Sequence, residues 1–146
     1  MENQNLPVGF IIGGMMKAMF RVLKRRTFEL TETKLTIEQF GLLFNIKREG
    51  DDIIQKEMAD IMGKDPSSML RMIDSLEKKE LIKRVVDTND RRKNKILITE
   101  KGEKTIKQYL KIEMSLSNEL INDIPASDLE AFHRVINHIK NKAEKM

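Results

Sequence analysis

Apolar residues recur along this chain at helical spacing, except in one short region where the pattern becomes that of strands. From Val8 to about Leu30, the residues Val8, Ile12, Met15, Met19 and Val22/Leu23 follow the helical period, and Ile11, Met16 and Phe20 widen the stripe. Gly13-Gly14 weakens that helix locally. Thr36-Ile37-Glu38-Gln39 is a capping box, in which Thr36 and Gln39 each satisfy the other's free N–H. It opens a second helix through Phe40, Leu43, Phe44 and Ile46, which ends near Glu49-Gly50, where glycine suits a left-handed cap. Asp51-Asp52 reads as a turn and Ile53-Ile54 as a short strand. Gln55–Met62 reads as a short helix burying Met58, Ile61 and Met62, with Ala59 small enough for close packing, and Gly63 ends it.

The rest is organised around Lys64–Thr99, which reads as helix, strand, basic loop and strand. Asp65 is a good N-cap and Pro66 suits the first helical position. Leu70, Ile73 and Leu76, with Met69 and Met72 beside them, make one apolar stripe running to about Glu80. Leu81 to Val86 is short and β-branched, Asp87-Thr88-Asn89-Asp90 is turn chemistry, and Ile96, Leu97 and Ile98 form the returning strand. Arg91, Arg92 and Lys93 stand at or just past the tip. The short helices meeting near Gly63–Asp65 make a helix-turn-helix. Thr99 caps a long helix from Glu100 to about Asn122, with Ile106, Tyr109, Leu110, Leu116, Leu120 and Ile121 apolar. Asp123–Ala126 breaks it. A second capping box, Ser127–Glu130, opens a last helix striped by Leu129, Phe132, Val135, Ile136 and Ile139. Residues 1–6 read as a loose terminus.

Composition narrows the function classes. With 146 residues, 40% of them hydrophobic and 34% charged, the chain suits one helix-rich domain. No segment approaches the ~18 uninterrupted apolar residues of a membrane span. The N-terminus lacks a signal-peptide pattern, so the expectation is a cytoplasmic protein without a membrane partner. Zero cysteines exclude disulfides, thiolate zinc sites and a cysteine redox sensor. The net charge of +4 is unevenly placed: Lys64–Lys95 holds ten Lys/Arg against six Asp/Glu, an excess equal to that of the whole chain. That favours a polyanionic partner, although a plain solvated surface carries the same charge. A helix followed by a hairpin with a cationic tip suits DNA, since the helix fits the major groove and the tip can enter the minor groove.

Catalytic readings find little. His133 and His138 are five apart and share no helical face, no glycine-rich phosphate loop is present, and Asp51-Asp52 is better read as a turn than as an acid/base pair. The expectation is no enzyme, no metal site and no cofactor.

The run DPSSMLRMIDSLEKKELIKRVVDTNDRRKNKILITEKG resembles the core of MarR-family (multiple antibiotic resistance regulator) winged-helix proteins, most specifically at Leu76–Lys79, Asp90-Arg91-Arg92 and Leu97–Gly102. The likeness covers nearly the whole chain. It implies a mainly α fold with a small β-hairpin wing (α+β): a single domain over residues 1–146, with a winged helix-turn-helix at about 36–99. Dimerisation helices would occupy about 7–31 and 100–146. It implies a homodimeric, sequence-specific transcriptional regulator on a pseudo-palindromic operator in double-stranded DNA, a repressor released by a small, aromatic effector. The competing expectation is a winged-helix protein-interaction module that does not touch DNA.

On this resemblance Ser67, Ser68, Met69, Arg71 and Met72 lie in the first turns of the recognition helix. Arg71 can read guanine through two hydrogen bonds, or contact phosphate, or pair with the wing aspartate. Ser67 and Ser68 suit phosphate or an extended cap. Asp90 is either an ion-pair partner that orients the wing arginines or a plain turn residue. Arg92 occupies the family's minor-groove position. Arg91 and Lys93 suit backbone phosphate, and Lys83 and Arg84 either do likewise or only solvate the strand. The family's effector pocket points to Met16, Met19, Phe40, Phe44 and Met114, which otherwise are ordinary core. Met is a pliable packer suited to either role.

Overall fold

The computed structural model describes residues 6–50 and 53–146, so the expected turn at Asp51-Asp52 and residues 1–5 of the terminus lie outside the described residues. The elements, in order, are α1 (Val8–Leu30), α2 (Ile37–Glu49), α3 (Gln55–Met62), α4 (Pro66–Lys78), β1 (Ile82–Val86), β2 (Asn94–Ile98), α5 (Glu100–Ile121) and α6 (Ala126–Glu144). This is the mostly helical chain with one antiparallel hairpin that the sequence pattern predicts. Two compact units divide it, one ending at Glu113 and one running from Met114 to Met146.

Local chemistry sets most helix ends. Thr36 Oγ1 accepts the Gln39 N–H and Gln39 Oε1 accepts the Thr36 N–H, both at 3.0 Å, so the capping box of α2 is complete. Gly50 ends α2 with a positive φ of 83° and an extended ψ of −172°, a glycine conformation but not the left-handed helical cap the sequence suggested. Gly63 does take that cap after α3, with φ 60° and ψ 33°. Asp65 caps α4 through the Ser68 N–H at 2.9 Å, with Pro66 following it.

Several boundaries differ from the sequence pattern for identifiable reasons. α4 stops at Lys78 because Glu80 adopts φ 61° and the Leu81 N–H folds back onto the Leu76 carbonyl at 3.1 Å. The expected strand at Ile53-Ile54 is a single antiparallel bridge, Ile54 to Lys95, since α3 begins at the next residue. α6 starts at Ala126 without a side-chain cap: the Asp128 and Leu129 N–H groups bond the Pro125 carbonyl, which places Ser127 inside the first turn rather than at a cap.

The core of the first unit gathers Leu42, Leu43 and Ile46 of α2, Met58 of α3, Met69, Ile73 and Leu76 of α4, Leu81, Ile82 and Ile96 of the hairpin, and Ile106 of α5. Two expected core positions are outside it. Leu70 is 40% exposed, because the buried face of α4 runs through Met69, Ile73 and Leu76. Ile61 is also exposed, because α3 turns Met58 and Ala59 inward. β1 and β2 pair in register from Ile82–Ile98 to Val86–Asn94. Tyr109 ties α5 to the connection before α2. Its hydroxyl accepts the Leu35 N–H at 2.9 Å and donates to the Thr33 carbonyl at 3.0 Å, while its ring stacks on Phe40 at 5.0 Å.

The β2–α5 junction has no spare room. Thr99 Oγ1 donates to the Glu80 carbonyl at 2.6 Å and accepts the Gly102 N–H at 3.0 Å, which draws the first turn of α5 against the end of the α4–β1 connection. A Cβ on Gly102 would stand 2.2 Å from the Leu81 carbonyl oxygen, a backbone atom that cannot move aside. The neighbouring connection presents the opposite case, a non-glycine residue at the positive φ of Glu80. In urea unfolding, Gly102→Ala is expected to lose about 3 kcal/mol, the upper end of ordinary overpacking costs. Glu80→Gly is expected to gain roughly 1 kcal/mol by relieving the left-handed conformation. Unchanged stability of Gly102→Ala would contradict this packing.

Candidate nucleic-acid interface

The face of α4 opposite its buried stripe follows from helical geometry. With Met69, Ile73 and Leu76 inward, Ser67, Arg71 and Asp74 point out, and all three are exposed. At the N-terminus of α4 the Ser68 hydroxyl donates to Asp65 at 2.7 Å, and Arg71 Nη2 donates to Ser68 Oγ at 3.4 Å. Those Ser68 bonds, from hydroxyl and backbone N–H, hold the Asp65 carboxyl below its ordinary value. Ser68 therefore extends the cap and steadies Arg71, while Ser67 stays exposed in the first turn. Met72 is half-buried against the core. Met69 is the correction to the expected surface: at 1% exposure it is core, and it cannot present itself to a duplex without unfolding the helix from its neighbours.

The hairpin connection is tightly hydrogen-bonded. Asp87 N–H bonds the Lys93 carbonyl and Lys93 N–H the Asp90 carbonyl, each at 3.0 Å, and Asp87 Oδ1 accepts the Asn89 N–H at 2.8 Å. Asp90 accepts the Arg92 backbone N–H at 3.0 Å and Arg92 Nε at 3.4 Å. The Arg92 side chain is nevertheless 93% exposed, against 33% for Asp90. Arg91 and Lys93 are exposed beside it. A groove of about 350 Å³ runs between the start of α3, the first turns of α4 and the wing, with Lys56, Pro66, Leu70, Arg92 and Lys93 among its walls. It brings the recognition helix and the wing cations, separated in sequence, onto one surface. Gln55 and Lys56 join that surface, and sequence reading missed them because α3 looked like a purely structural helix.

Arg84 is not a surface cation. Its Nη2 pairs with Glu77 at 2.8 Å and Asp74 at 2.5 Å, its backbone N–H donates to Glu77 at 2.9 Å, and Nη1 reaches Gln55 at 3.4 Å. One guanidinium thus joins α4, β1 and α3. The Arg84 side-chain bonds, then its backbone N–H, hold the Glu77 carboxyl below its ordinary 4.5, and Glu77 strengthens the Arg84 charge in return. Lys83 remains exposed on the strand.

Of the side chains expected at an effector pocket, Phe40 and Phe44 lie together with centroids 6.1 Å apart, and Tyr109 extends the cluster by stacking on Phe40. Met16 is exposed and Met19 half-buried on α1, and Met114 is exposed in the second unit. Among the described residues no cluster of three metal-ligating side chains occurs, and no helix is long and apolar enough to cross a membrane.

Two short helices in a tight αL turn, followed by a cationic hairpin pinned to the second of them, define a winged helix-turn-helix protein. The MarR family model matches residues 35–93 of this chain. The whole chain is similar in fold to a crystal structure of MarR, with a TM-score of 0.85 at 24% identity over 100% of this chain and 97% of the other. It is similar to MepR of S. aureus solved in a DNA complex, with a TM-score of 0.80 at 18% identity over 94% and 99%. A mutant MarR from E. coli complexed with operator DNA gives 0.78 at 22% identity over 94% and 96%.

The Glu77–Arg84 junction predicts a pH signature. Because the folded-state carboxyl titrates below the unfolded one, its stabilisation is complete above about pH 4.5 and is lost as pH falls through the folded value. The melting temperature of Glu77→Gln should lie below that of the native protein at pH 7, with the gap closing on acidification below pH 4.5. A gap that stays constant with pH would remove the carboxylate from this role.

Proposed function

We propose that this protein is a transcriptional regulator that binds double-stranded DNA as a homodimer, with α4 in the major groove and the wing at the adjacent minor groove. One observation carries the reading: the first turns of α4, through Pro66 and Leu70, and the wing cations Arg92 and Lys93 line a single groove, with Ser67, Arg71 and Arg91 exposed on the same helix and loop. The solved relatives in complex with DNA support the same reading. Arg71 is the base reader, since its guanidinium can donate two hydrogen bonds to guanine O6 and N7. Arg92 reads the width of an A·T-rich minor groove, where negative potential is concentrated. Ser67, Arg91, Lys93 and Lys56 hold phosphates, which set register and salt dependence but not sequence.

Dimerisation through the first and last two helices fits their uncovered apolar faces. Phe10, Ile11, Met15 and Phe20 of α1 are exposed, and α6 buries no residue and exposes Phe132 and Val135. Two recognition helices related by a two-fold axis read half-sites centred roughly 10 base pairs apart. Repression by promoter occupancy, relieved by a small aromatic ligand, completes the proposal. The support for the ligand is the Phe40–Phe44–Tyr109 ring cluster together with the family resemblance, and displacement of the protein from its operator by aromatic acids tests it.

Phe132→Asp should weaken the dimer by several kcal/mol, because it places an unpaired charge in an apolar interface. Light scattering at micromolar concentration checks it, and a monomeric native protein overturns the assembly.

Binding of three variants to duplexes with altered cores and flanks, across a salt series, tests the DNA reading. Arg71→Ala should cost about 1–3 kcal/mol and relax one base pair per half-site. Arg92→Ala should relax the flank preference for A·T. Lys93→Ala should weaken all sequences alike and flatten the log–log salt slope by about 0.9 per lost contact in each subunit. If Arg92→Ala changes neither affinity nor flank preference, the hairpin does not read DNA, and a protein-interaction module takes its place.

A further inference from the structure

Leu70 is the large apolar side chain that α4 exposes. It is the fifth residue of the helix, about 100° around the axis from buried Met69, and so faces the wing-side groove rather than the core. Ile54, Ala59, Pro66 and Met69 give that groove an apolar floor, while Lys56, Arg92 and Lys93, with the single acid Asp60, stand on its walls. The result is one apolar spot inside a surface with a net excess of cations, on the part of the helix that would reach base edges. A duplex drawn in by the cations offers that spot a single kind of apolar group in its major groove, the 5-methyl of thymine.

We propose that Leu70 reads the 5-methyl group of one thymine in each half-site, on the reading that this protein binds DNA through α4 and the wing. Arg71 beside it supplies the hydrogen-bonding readout, so two adjacent residues would specify neighbouring positions by different physics. One recognises an acceptor pair on guanine and the other an apolar bump. Loss of the methyl leaves a gap over Leu70 without disturbing any base-edge hydrogen bond.

Uracil isolates that group, because deoxyuridine keeps every hydrogen-bonding edge of thymidine and lacks only the methyl. Bound sites are first selected from random duplex DNA, and each thymine of the selected operator is then replaced singly by deoxyuridine. For the native protein, one position per half-site should lose roughly fourfold in affinity, the effect of exposing one methyl group. Leu70→Ala should bind the thymine operator more weakly and be indifferent to uracil at that position. Leu70→Met, which keeps apolar bulk, should retain the discrimination. Native protein that binds the operator but discriminates at no thymine overturns the assignment, as does Leu70→Ala that discriminates as well as the native protein. Those results leave the DNA-binding reading standing. If no duplex is selected at all, that reading falls and this one with it. The native-protein arm requires no variant to fold, and the exposure of Leu70 keeps its replacement out of the core.

Discussion

A two-stranded hairpin is barely stable alone in water, so the position of this wing depends on what pins its root. The pin is the Arg84 guanidinium, held between Glu77 and Asp74 of α4 and reaching Gln55 of α3, with Ile82 and Ile96 buried beneath it. The two carboxylates sit on one helix face, three residues apart, and one cation serves both. Removing the cation would therefore leave like charges facing each other as well as a loose strand. The Ile96 N–H to Ile53 carbonyl bond at 3.1 Å ties the returning strand to the start of α3. α4, the wing and α3 are thus bonded to one another at their roots, as the proposed reading of two grooves of one duplex requires.

The local excess of positive charge looks different once its members have partners. Arg84 belongs to the fold, Lys64 lies 3.7 Å from Glu38, and Lys79 Nζ donates to the Lys34 carbonyl at 2.6 Å. What the stretch still presents includes Arg71, exposed on the helix, Arg91, exposed on the wing, and Arg92 and Lys93 on the wall of the groove. Charge counted along a sequence overstates the cations a partner can meet. It also blurs where they are, since the exposed cations of the helix and the wing lie some twenty residues apart in the chain.

The caps at Thr36 and Asp65, the bounds of α1 and α3 and the hairpin were legible because each is decided by residues within a few positions of one another. The inward face of α4 was not. Met69, Leu70, Met72, Ile73 and Leu76 spread over roughly 160° of the helical wheel, so periodicity gave one broad stripe and the neighbours on α2, α3 and β1 decided which part of it is buried. Leu70 was thereby placed in the core, and Met69, a member of the same stripe, was also offered to a partner surface that it does not reach. Ile61 failed for the same reason. The start of α6 failed because the Pro125 carbonyl satisfies the first turn, a backbone event that side-chain signatures do not report. The Arg84 junction was invisible because its acids are seven and ten residues away and its amide twenty-nine, distances at which no local rule pairs charges.

Arg84 and Arg92 of the hairpin show how one residue type serves two ends. Arg84 makes charge-assisted bonds to two carboxylates in a half-buried setting, where losing one partner leaves the others stranded. Arg92 meets Asp90 only through Nε at 3.4 Å, almost wholly in water, where an ion pair contributes a few tenths of a kcal/mol to about 1. The Arg92 backbone N–H bond to the same carboxylate fixes the turn whether or not the side chain stays. Arg92 can therefore exchange its partner at small cost without unsettling the wing, and Arg84 cannot. On the proposed reading that asymmetry is functional: the turn is rigid, its root is locked, and the side chain at its tip is held just firmly enough to be aimed.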